Sequence, residues 1–435
     1  MALILHTGPK GGFNPSGDHH TTYQQLEQAI GEVSGSSVTL YFHGGLVAES
    51  RGMDSANKFI RYFGTDQSTP ICIVWESGLG ETLTQRFGDI AKQTIFGWII
   101  KLATKVFNQR TNVHGMMKQN DADICRSLSD HTRQLVDEQA VYDSFLVSAQ
   151  KVLEEEQDLR FQISASEAEV LDQDKALFGS ARTLVKATQV VASSAVRFYK
   201  GSNHEVIPTL IEETLRAYYL DKLGESVWSA MKLKTDQMFE QGKKTEKLGT
   251  ALIDLLSRRQ ISTGQPIEIN LVGHSAGSVA ICHLLDMVAI DYPDLTINKV
   301  VFVAPAVTAE QAVSSVVNRS ALFRDFRMFT MSDEYEKKDD VAFVYSASLL
   351  YFISGVLEGE TDKALAGMMR FYQDNQFFDR KGVQQWKSFI EQPDHLVQSP
   401  TPQDAQDGFK TTYTTHGGFG TDKTTIESIK HFIAS

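Results

Sequence analysis

One segment constrains the fold of this chain more than any other, because it joins two apolar runs through a group of small residues. The first run, 267–272, is rich in Ile, Leu and Val, as expected for a buried strand. It leads directly into Gly273-His274-Ser275-Ala276-Gly277, and an apolar helical pattern follows over 278–290. A strand that turns sharply into a helix needs small residues at the turn. The segment therefore predicts a strand–elbow–helix unit in an α/β fold with a mostly parallel sheet.

Further apolar runs have the composition of strands from the same sheet. They lie at 2–6, 37–42, 71–75, 299–305 and 327–331. Helical periodicity separates the early strands, with Thr21 or Thr22 as the expected N-cap of a helix that ends near Val33.

The middle of the chain has a different pattern. From about 80 to 259, strand signals disappear and charged helical periodicity takes over, with Pro208 as the only proline. The predicted organisation is a first part of the core at 1–80, a helical insertion resembling a cap or lid at 81–260, and a second part of the core at 261–435. A second insertion is expected at about 340–410.

Composition excludes several classes of function. The 435 residues include 54 acidic and 42 basic side chains, for a net charge of −12, which argues against nucleic-acid binding. The three cysteines form no zinc-binding spacing. Neither a metal nor an organic cofactor is expected, because the chemistry predicted below requires none. No apolar run approaches the ~18 residues of a membrane-spanning helix, and the first residues lack a basic leader. A cytoplasmic location is expected.

Ser275 is the candidate nucleophile, because the predicted elbow would place its hydroxyl at the carboxyl end of the sheet. A serine that attacks an acyl carbonyl also needs two N–H donors for the developing oxyanion. One donor is expected from Ala276. The other is expected from Gly44, Gly45 or Leu46, which follow an early strand, and His43 is interpreted as a residue that orients this loop.

His416 is the candidate general base. It lies in a glycine-rich loop directly before the last helical segment, 425–433. His395 is the alternative, whereas His283 and His431 lie on predicted helices and are interpreted as helix residues.

The acid that orients the base should follow a strand between Ser275 and His416. Asp333 is the first carboxylate after the strand that ends near Met331, and is the preferred candidate. The open alternatives are Glu334, Glu336, Asp339 and Asp340.

The order Ser275, Asp333, His416, together with His43-Gly44-Gly45 and the elbow, resembles the α/β-hydrolase superfamily of the lipase and esterase kind. The resemblance covers about 38–76, 266–335 and 411–433. It implies hydrolysis of a small-molecule or lipid ester through an acyl-enzyme on Ser275. A thioesterase, amidase or peptidase with the same triad is an alternative, as is a non-catalytic interaction protein dominated by its helical insertion.

The most apolar helix of the insertion, Ile95–Phe107, has two interpretations. Trp98 and its apolar neighbours are compatible with peripheral membrane contact, with Lys101 and Lys105 at the headgroups. Packing of the same face inside the helical insertion is the favoured alternative. The oligomeric state is left open.

Overall fold

A seven-stranded parallel sheet organises the chain in the computed structural model. Its strands are β1 Leu3–Thr7, β2 Ser37–Phe42, β3 Thr69–Trp75, β4 Glu268–His274, β5 Ile297–Val303, β6 Phe323–Met331 and β7 Leu396–Ser399. They are arranged in the order β1-β3-β2-β4-β5-β6-β7, and every neighbouring pair is parallel. The predicted α/β class is confirmed.

The structure describes residues 1–16, 19–33, 35–45, 49–75, 94–111, 121–165, 176–223, 225–341, 345–373, 375–378 and 380–435. Its helices before β4 are α1 Tyr23–Glu32, α2 Glu49–Phe63, α3 Thr94–Thr111, α4 Asp121–Thr132, α5 Glu138–Glu155, α6 Gln157–Ala165, α7 Ala176–Lys200, α8 Val206–Leu223, α9 Glu225–Met238 and α10 Leu248–Thr263. Those after β4 are α11 Gly277–Asp291, α12 Ala309–Ser315, α13 Asp333–Lys338, α14 Leu349–Phe352, α15 Arg370–Gln373, α16 Val383–Ile390 and α17 Lys423–Ala434.

The strands bury side chains on both faces, because helices cover both sides of the sheet. Successive residues of a strand point to opposite faces. In β2, Tyr41 joins a core cluster with side chains of α2 and α17, whereas Leu40 and Phe42 join a larger cluster that includes α1, α10 and α11. Two-sided burial explains why the strands appear as near-continuous apolar runs in the sequence.

Between β3 and β4, the described residues form helices and their connections and contribute no strand to the sheet. Their core is aromatic, with the Phe107 ring 5.9 Å from that of Phe145 and 6.3 Å from that of Phe198. In α3, Phe96 and Ile99 are buried in this core, and Lys101 lies over the Trp98 ring. These apolar side chains of α3 therefore pack inside the helical block.

The region predicted as a second insertion contributes a strand to the sheet. It contains α14, which continues as a π-helical turn over Ile353–Leu357, then α15, α16 and the edge strand β7. β7 pairs with β6 from Leu396 to Ser399. Its sequence did not indicate a strand, because it has four residues and half of them are polar.

Among all the described helices, none is both long and apolar enough to cross a bilayer.

Candidate active site

The elbow after β4 is strained and tightly packed. Ser275 has a φ of 51°, in the left-handed region that residues with a side chain rarely adopt. A Cβ on Gly277 would lie 2.3 Å from the carbonyl oxygen of Phe42, and one on Gly273 would lie 2.7 Å from the carbonyl carbon of Gly277. Glycine is therefore required at both positions, since α11 begins directly against the end of β2.

Four hydrogen bonds hold the backbone of Ser275 in this conformation. Its N–H donates to the carbonyl oxygen of Val303 at 2.9 Å. Its own carbonyl oxygen accepts from the Ala306 N–H at 3.1 Å and from Ser278, whose N–H donates at 3.1 Å and whose hydroxyl donates at 2.6 Å. These partners lie at the end of β5, just after it, and in the first turn of α11. The surrounding elements therefore stabilise the strained residue.

The structure brings Ser275 and His416 together, as the sequence predicts. Ser275 Oγ lies 2.9 Å from His416 Nε2, and both residues are 2% exposed. His416 begins a 3₁₀ helix, His416–Thr421, whose Gly420 carbonyl accepts from the Tyr41 hydroxyl of β2 at 3.1 Å. A Cβ on Gly420 would lie 2.7 Å from Nδ1 of His274, so the glycine lets this loop approach β4.

The predicted oxyanion loop lies against the elbow. A Cβ on Gly44 would lie 3.4 Å from Cβ of Ser275, and one on Gly45 would lie 2.8 Å from Cβ of Ala276. This contact follows from the topology, because β2 and β4 are neighbours in the sheet. Within the described residues, the N–H groups of Gly44, Gly45 and Ala276 donate no hydrogen bond. Leu46 lies outside the described residues.

His43 holds the loop in place, as its interpretation from sequence suggests. Its Nε2 accepts from the Trp75 N–H at 3.2 Å, so Nδ1 carries the proton and donates to the Gly44 carbonyl oxygen at 2.5 Å. The imidazole also stacks on the Trp75 ring at 4.5 Å.

Burial keeps the histidines of this site neutral. It lowers the pKa of His416 to about 3, with a smaller contribution from His274. Burial likewise lowers the pKa of His274 to about 4 and that of His43 to about 4. A neutral imidazole has an unprotonated nitrogen, so His416 can accept the proton of the Ser275 hydroxyl.

The structure does not bring Asp333 to His416. Asp333 Oδ1 accepts from the Tyr351 hydroxyl at 2.5 Å, and its Oδ2 lies 2.8 Å from Lys337 Nζ. The physical reason is that α13 begins at Asp333, so this side chain is directed by the first helical turn toward the second insertion. The preferred acid from the sequence is thus occupied by other partners.

Asp339, one of the open alternatives, accepts a hydrogen bond from His416. Its Oδ2 accepts from the backbone N–H of His416 at 2.7 Å, and its Oδ1 accepts from the N–H of Asp340 at 2.9 Å. Partial burial raises the pKa of Asp339, and these two N–H groups oppose that shift. Nδ1 of the His416 ring is buried and has no hydrogen-bond partner among the described residues.

Glu336 is a second buried carboxylate on α13. It is 0% exposed, and neither carboxylate oxygen meets the geometry of a hydrogen bond with a described residue. Burial raises its pKa well above the ordinary value, whereas the nearby Ser348 hydroxyl lowers it. Glu334 instead forms an exposed pair with Lys338 at 2.5 Å, and Asp340 is exposed.

The other histidines have separate environments. His283 lies on α11 with its Nδ1 3.4 Å from an oxygen of Asp236, and Nδ1 of His395 donates to the Phe389 carbonyl at 2.8 Å. Neither is hydrogen-bonded to Ser275.

No protein-family model, curated protein or solved structure matches this chain. Among the described residues, no group of three or more His, Cys, Asp or Glu side chains is placed to hold a metal ion.

His274 and Tyr41 are site residues that the sequence analysis did not identify. His274 Nε2 lies 3.2 Å from the carbonyl oxygen of His416, and the hydroxyl of Tyr41 binds the same loop. A signal existed for both, because each lies at or near the carboxyl end of a strand next to the predicted elbow. That position alone does not distinguish a loop anchor from a core residue.

Proposed function

We propose that this chain is a serine hydrolase of the α/β-hydrolase kind, acting on a carboxylic ester in the cytoplasm. The single observation that carries the proposal is the 2.9 Å contact between Ser275 Oγ and His416 Nε2 at a strained strand–helix elbow. A buried serine hydroxyl directed at a neutral imidazole is the arrangement that nucleophilic acyl transfer needs.

In the proposed mechanism, Ser275 Oγ attacks the acyl carbonyl carbon while His416 Nε2 takes the hydroxyl proton. The negative charge that develops on the carbonyl oxygen is stabilised by the N–H of Ala276 and by that of Gly44 or Gly45. The N-terminus of α11 adds a favourable dipole at the same point. His416 then protonates the leaving alkoxide, and a water molecule activated by His416 releases the acid from Ser275.

Asp339 is the proposed acid, and its support is the hydrogen bond to the His416 backbone. Its carboxylate lies at the residue whose ring becomes a cation during the reaction, where a negative charge is most stabilising. Glu336 of α13 is the second candidate, because its buried carboxylate makes no hydrogen bond with a described residue.

The substrate is proposed as a small-molecule or lipid ester. The helical block contributes to the surroundings of the site, because a Cβ on Gly45 would lie 2.1 Å from the Met231 sulfur of α9. A substrate therefore enters beside a side chain of the insertion, and the insertion selects it. A thioesterase, amidase or peptidase would use the same residues, and a non-catalytic interaction protein would use none of them.

Labelling with a fluorophosphonate probe tests the proposal. The wild-type protein should be labelled and should hydrolyse p-nitrophenyl acetate, whereas Ser275→Ala should lose both activities by at least about 10³-fold. Ser262→Ala, which removes an exposed hydroxyl in the last turn of α10, is the matched control and should behave as wild type. Equal labelling of wild type and Ser275→Ala, both folded by circular dichroism, would overturn the enzyme proposal. Rates on matched p-nitrophenyl esters, thioesters and anilides then identify the bond that is cleaved.

A further inference from the structure

A cleft of about 690 Å³ lies apart from the Ser275 site, where the helical block meets the second insertion. Residues of α4, of the 201–205 loop, of α13 and of the 370–377 region line it. Its volume is in the range of small-molecule sites.

Arg370 is a buried cation of the cleft whose charge is only partly compensated. Its side chain is 10% exposed, and its Nη2 lies 3.4 Å from Asp362 Oδ1. The same carboxylate also binds Arg380 at 2.7 Å and His204 at 2.9 Å. One negative charge therefore serves three nitrogen groups, two of which are guanidinium cations.

The guanidinium of Arg370 also has a donor without a partner. Nη1 donates to the Asn203 carbonyl at 3.0 Å, whereas Nε is buried and makes no hydrogen bond with a described residue. The rings of Tyr351 and Phe377 lie 5.7 and 5.2 Å from the guanidinium carbon. These contacts hold the cation in place in the wall of the cleft.

Two further cations line the cleft. Arg133 is exposed and makes no ion pair with a described residue. Lys337 is paired with Asp333, whose other oxygen already accepts from Tyr351. Glu205 is the second acidic residue of the lining. The lining therefore holds three cations and two carboxylates, and Asp362 lies behind the lining as the partner of Arg370.

We propose that this cleft binds a small polar molecule through a phosphate or carboxylate group. The anion would be bound by Arg133, Arg370 and Lys337, since charge-assisted bonds from guanidinium and ammonium groups favour these oxygens. Ser129, Gln373 and Gln376 supply hydroxyl and amide groups for the uncharged part of the ligand. The site is separate from the proposed hydrolase function and does not depend on it.

Isothermal titration calorimetry with sodium pyrophosphate and with citrate tests this proposal at low ionic strength. We expect saturable binding of at least one probe to the full chain, weakened about tenfold or more in both Arg133→Gln and Lys337→Gln. Arg160→Gln, which removes an exposed arginine of α6, is the matched control and should bind as wild type. Ser275→Ala should also bind as wild type, which separates this test from that of the hydrolase.

Pyrophosphate binding alone identifies a phosphate-bearing ligand, and citrate binding alone identifies a carboxylate. No saturable heat with either probe up to about 10 mM would overturn the proposal. Equal weakening in Arg160→Gln would also overturn it, because the binding would then be a general charge effect. Unchanged affinity in both Arg133→Gln and Lys337→Gln would show that the anion binds elsewhere.

Discussion

His416 is held through two groups that have different consequences for catalysis. Its ring contacts Ser275 through Nε2, and its backbone N–H is bound by Asp339. The backbone contact fixes the position of the residue, while the Nδ1 side of the ring is left without a hydrogen bond from a described residue. Mutation of the nearby carboxylates identifies the residue that stabilises the protonated ring.

Asp339→Asn should lower kcat for ester hydrolysis by about 10²-fold, with little change in KM. The amide oxygen can still accept from the His416 N–H, so the loop stays in place, but the negative charge that stabilises the imidazolium is lost. Steady-state kinetics on a p-nitrophenyl ester measures this effect.

Glu334→Gln is the matched control for this charge change, because Glu334 is an exposed residue of α13, the helix that ends directly before Asp339, and it should retain wild-type kinetics. If Asp339→Asn is fully active and Glu336→Gln loses activity, Glu336 is the acid. If Asp333→Asn alone loses activity, the original sequence prediction is right.

The sequence predicted the pairing of Ser275 with His416 but not the carboxylate at His416, for a physical reason. The elbow has a local signal, since its small residues are required by contacts within a few residues and with one neighbouring strand. The identity of the acid depends instead on where the carboxylates in and directly after α13 are directed. Asp333 is directed away from His416 by its hydrogen bond with Tyr351, a residue of the second insertion.

At the scale of elements, a buried polar network joins α7 and α8 of the helical block to the second insertion. Arg197 of α7 and Glu212 of α8 form an ion pair at 2.5 Å, with side chains 4% and 0% exposed. His204 lies between Glu212 and Asp362, with a carboxylate oxygen within 2.9 Å of each ring nitrogen. Charged neighbours lower the pKa of both carboxyls to about 2, against the effect of burial.

Glu212→Gln should lower the free energy of unfolding by about 3 kcal/mol, because it removes the close carboxylate partner of the buried Arg197 and leaves only Glu213, at 3.4 Å. Urea denaturation at neutral pH measures the loss. Glu138→Gln removes a carboxylate of the exposed pair with Lys200 and should cost less than about 1 kcal/mol. Similar small losses in both variants would show that the network contributes little to stability.

Helices and strands with a local sequence pattern can be predicted, whereas a short strand that depends on its neighbour cannot. Strands buried on both faces, such as β2 and β4, appear as apolar runs whatever their neighbours are. The predicted N-cap is also local, since Thr22 and Gln25 form a capping box at the start of α1. β7 depends on pairing with β6 along only four residues, and a segment of that length carries too little pattern to be distinguished from a loop.

For the whole molecule, the buried site links function to stability against acid. His43, His274 and His416 are all buried at the carboxyl edge of the sheet, and burial lowers the pKa of each from 6.5 to between about 3 and 4. In the unfolded chain these side chains take up protons below pH 6.5, whereas in the folded chain they do so only near pH 3 to 4. Protonation therefore favours the unfolded state as the pH falls below 6.5.

Glu336 acts in the opposite sense. Its pKa is raised by burial, so the folded chain keeps this proton above pH 4.5, where the unfolded chain releases it. The resulting contribution to stability is present below pH 4.5 and is lost as the pH rises through the folded pKa. Glu336→Gln removes this contribution to stability and leaves the contribution of the three histidines.

In Glu336→Gln, the free energy of unfolding should fall by up to about 4 kcal/mol per pH unit as the pH is lowered below 6.5, because three histidines each bind a proton on unfolding. The free energy of unfolding of a typical domain is only about 5–15 kcal/mol, so the chain should unfold before the pH falls to the pKa of His416 in the folded state. Urea denaturation at intervals between about pH 4.5 and 7.5 measures this slope. His43→Asn should reduce it by about one proton, and a stability that is independent of pH over this interval would contradict the prediction. Loss of hydrolytic activity in acid should accordingly follow unfolding of the chain, with protonation of His416 occurring in the unfolded state.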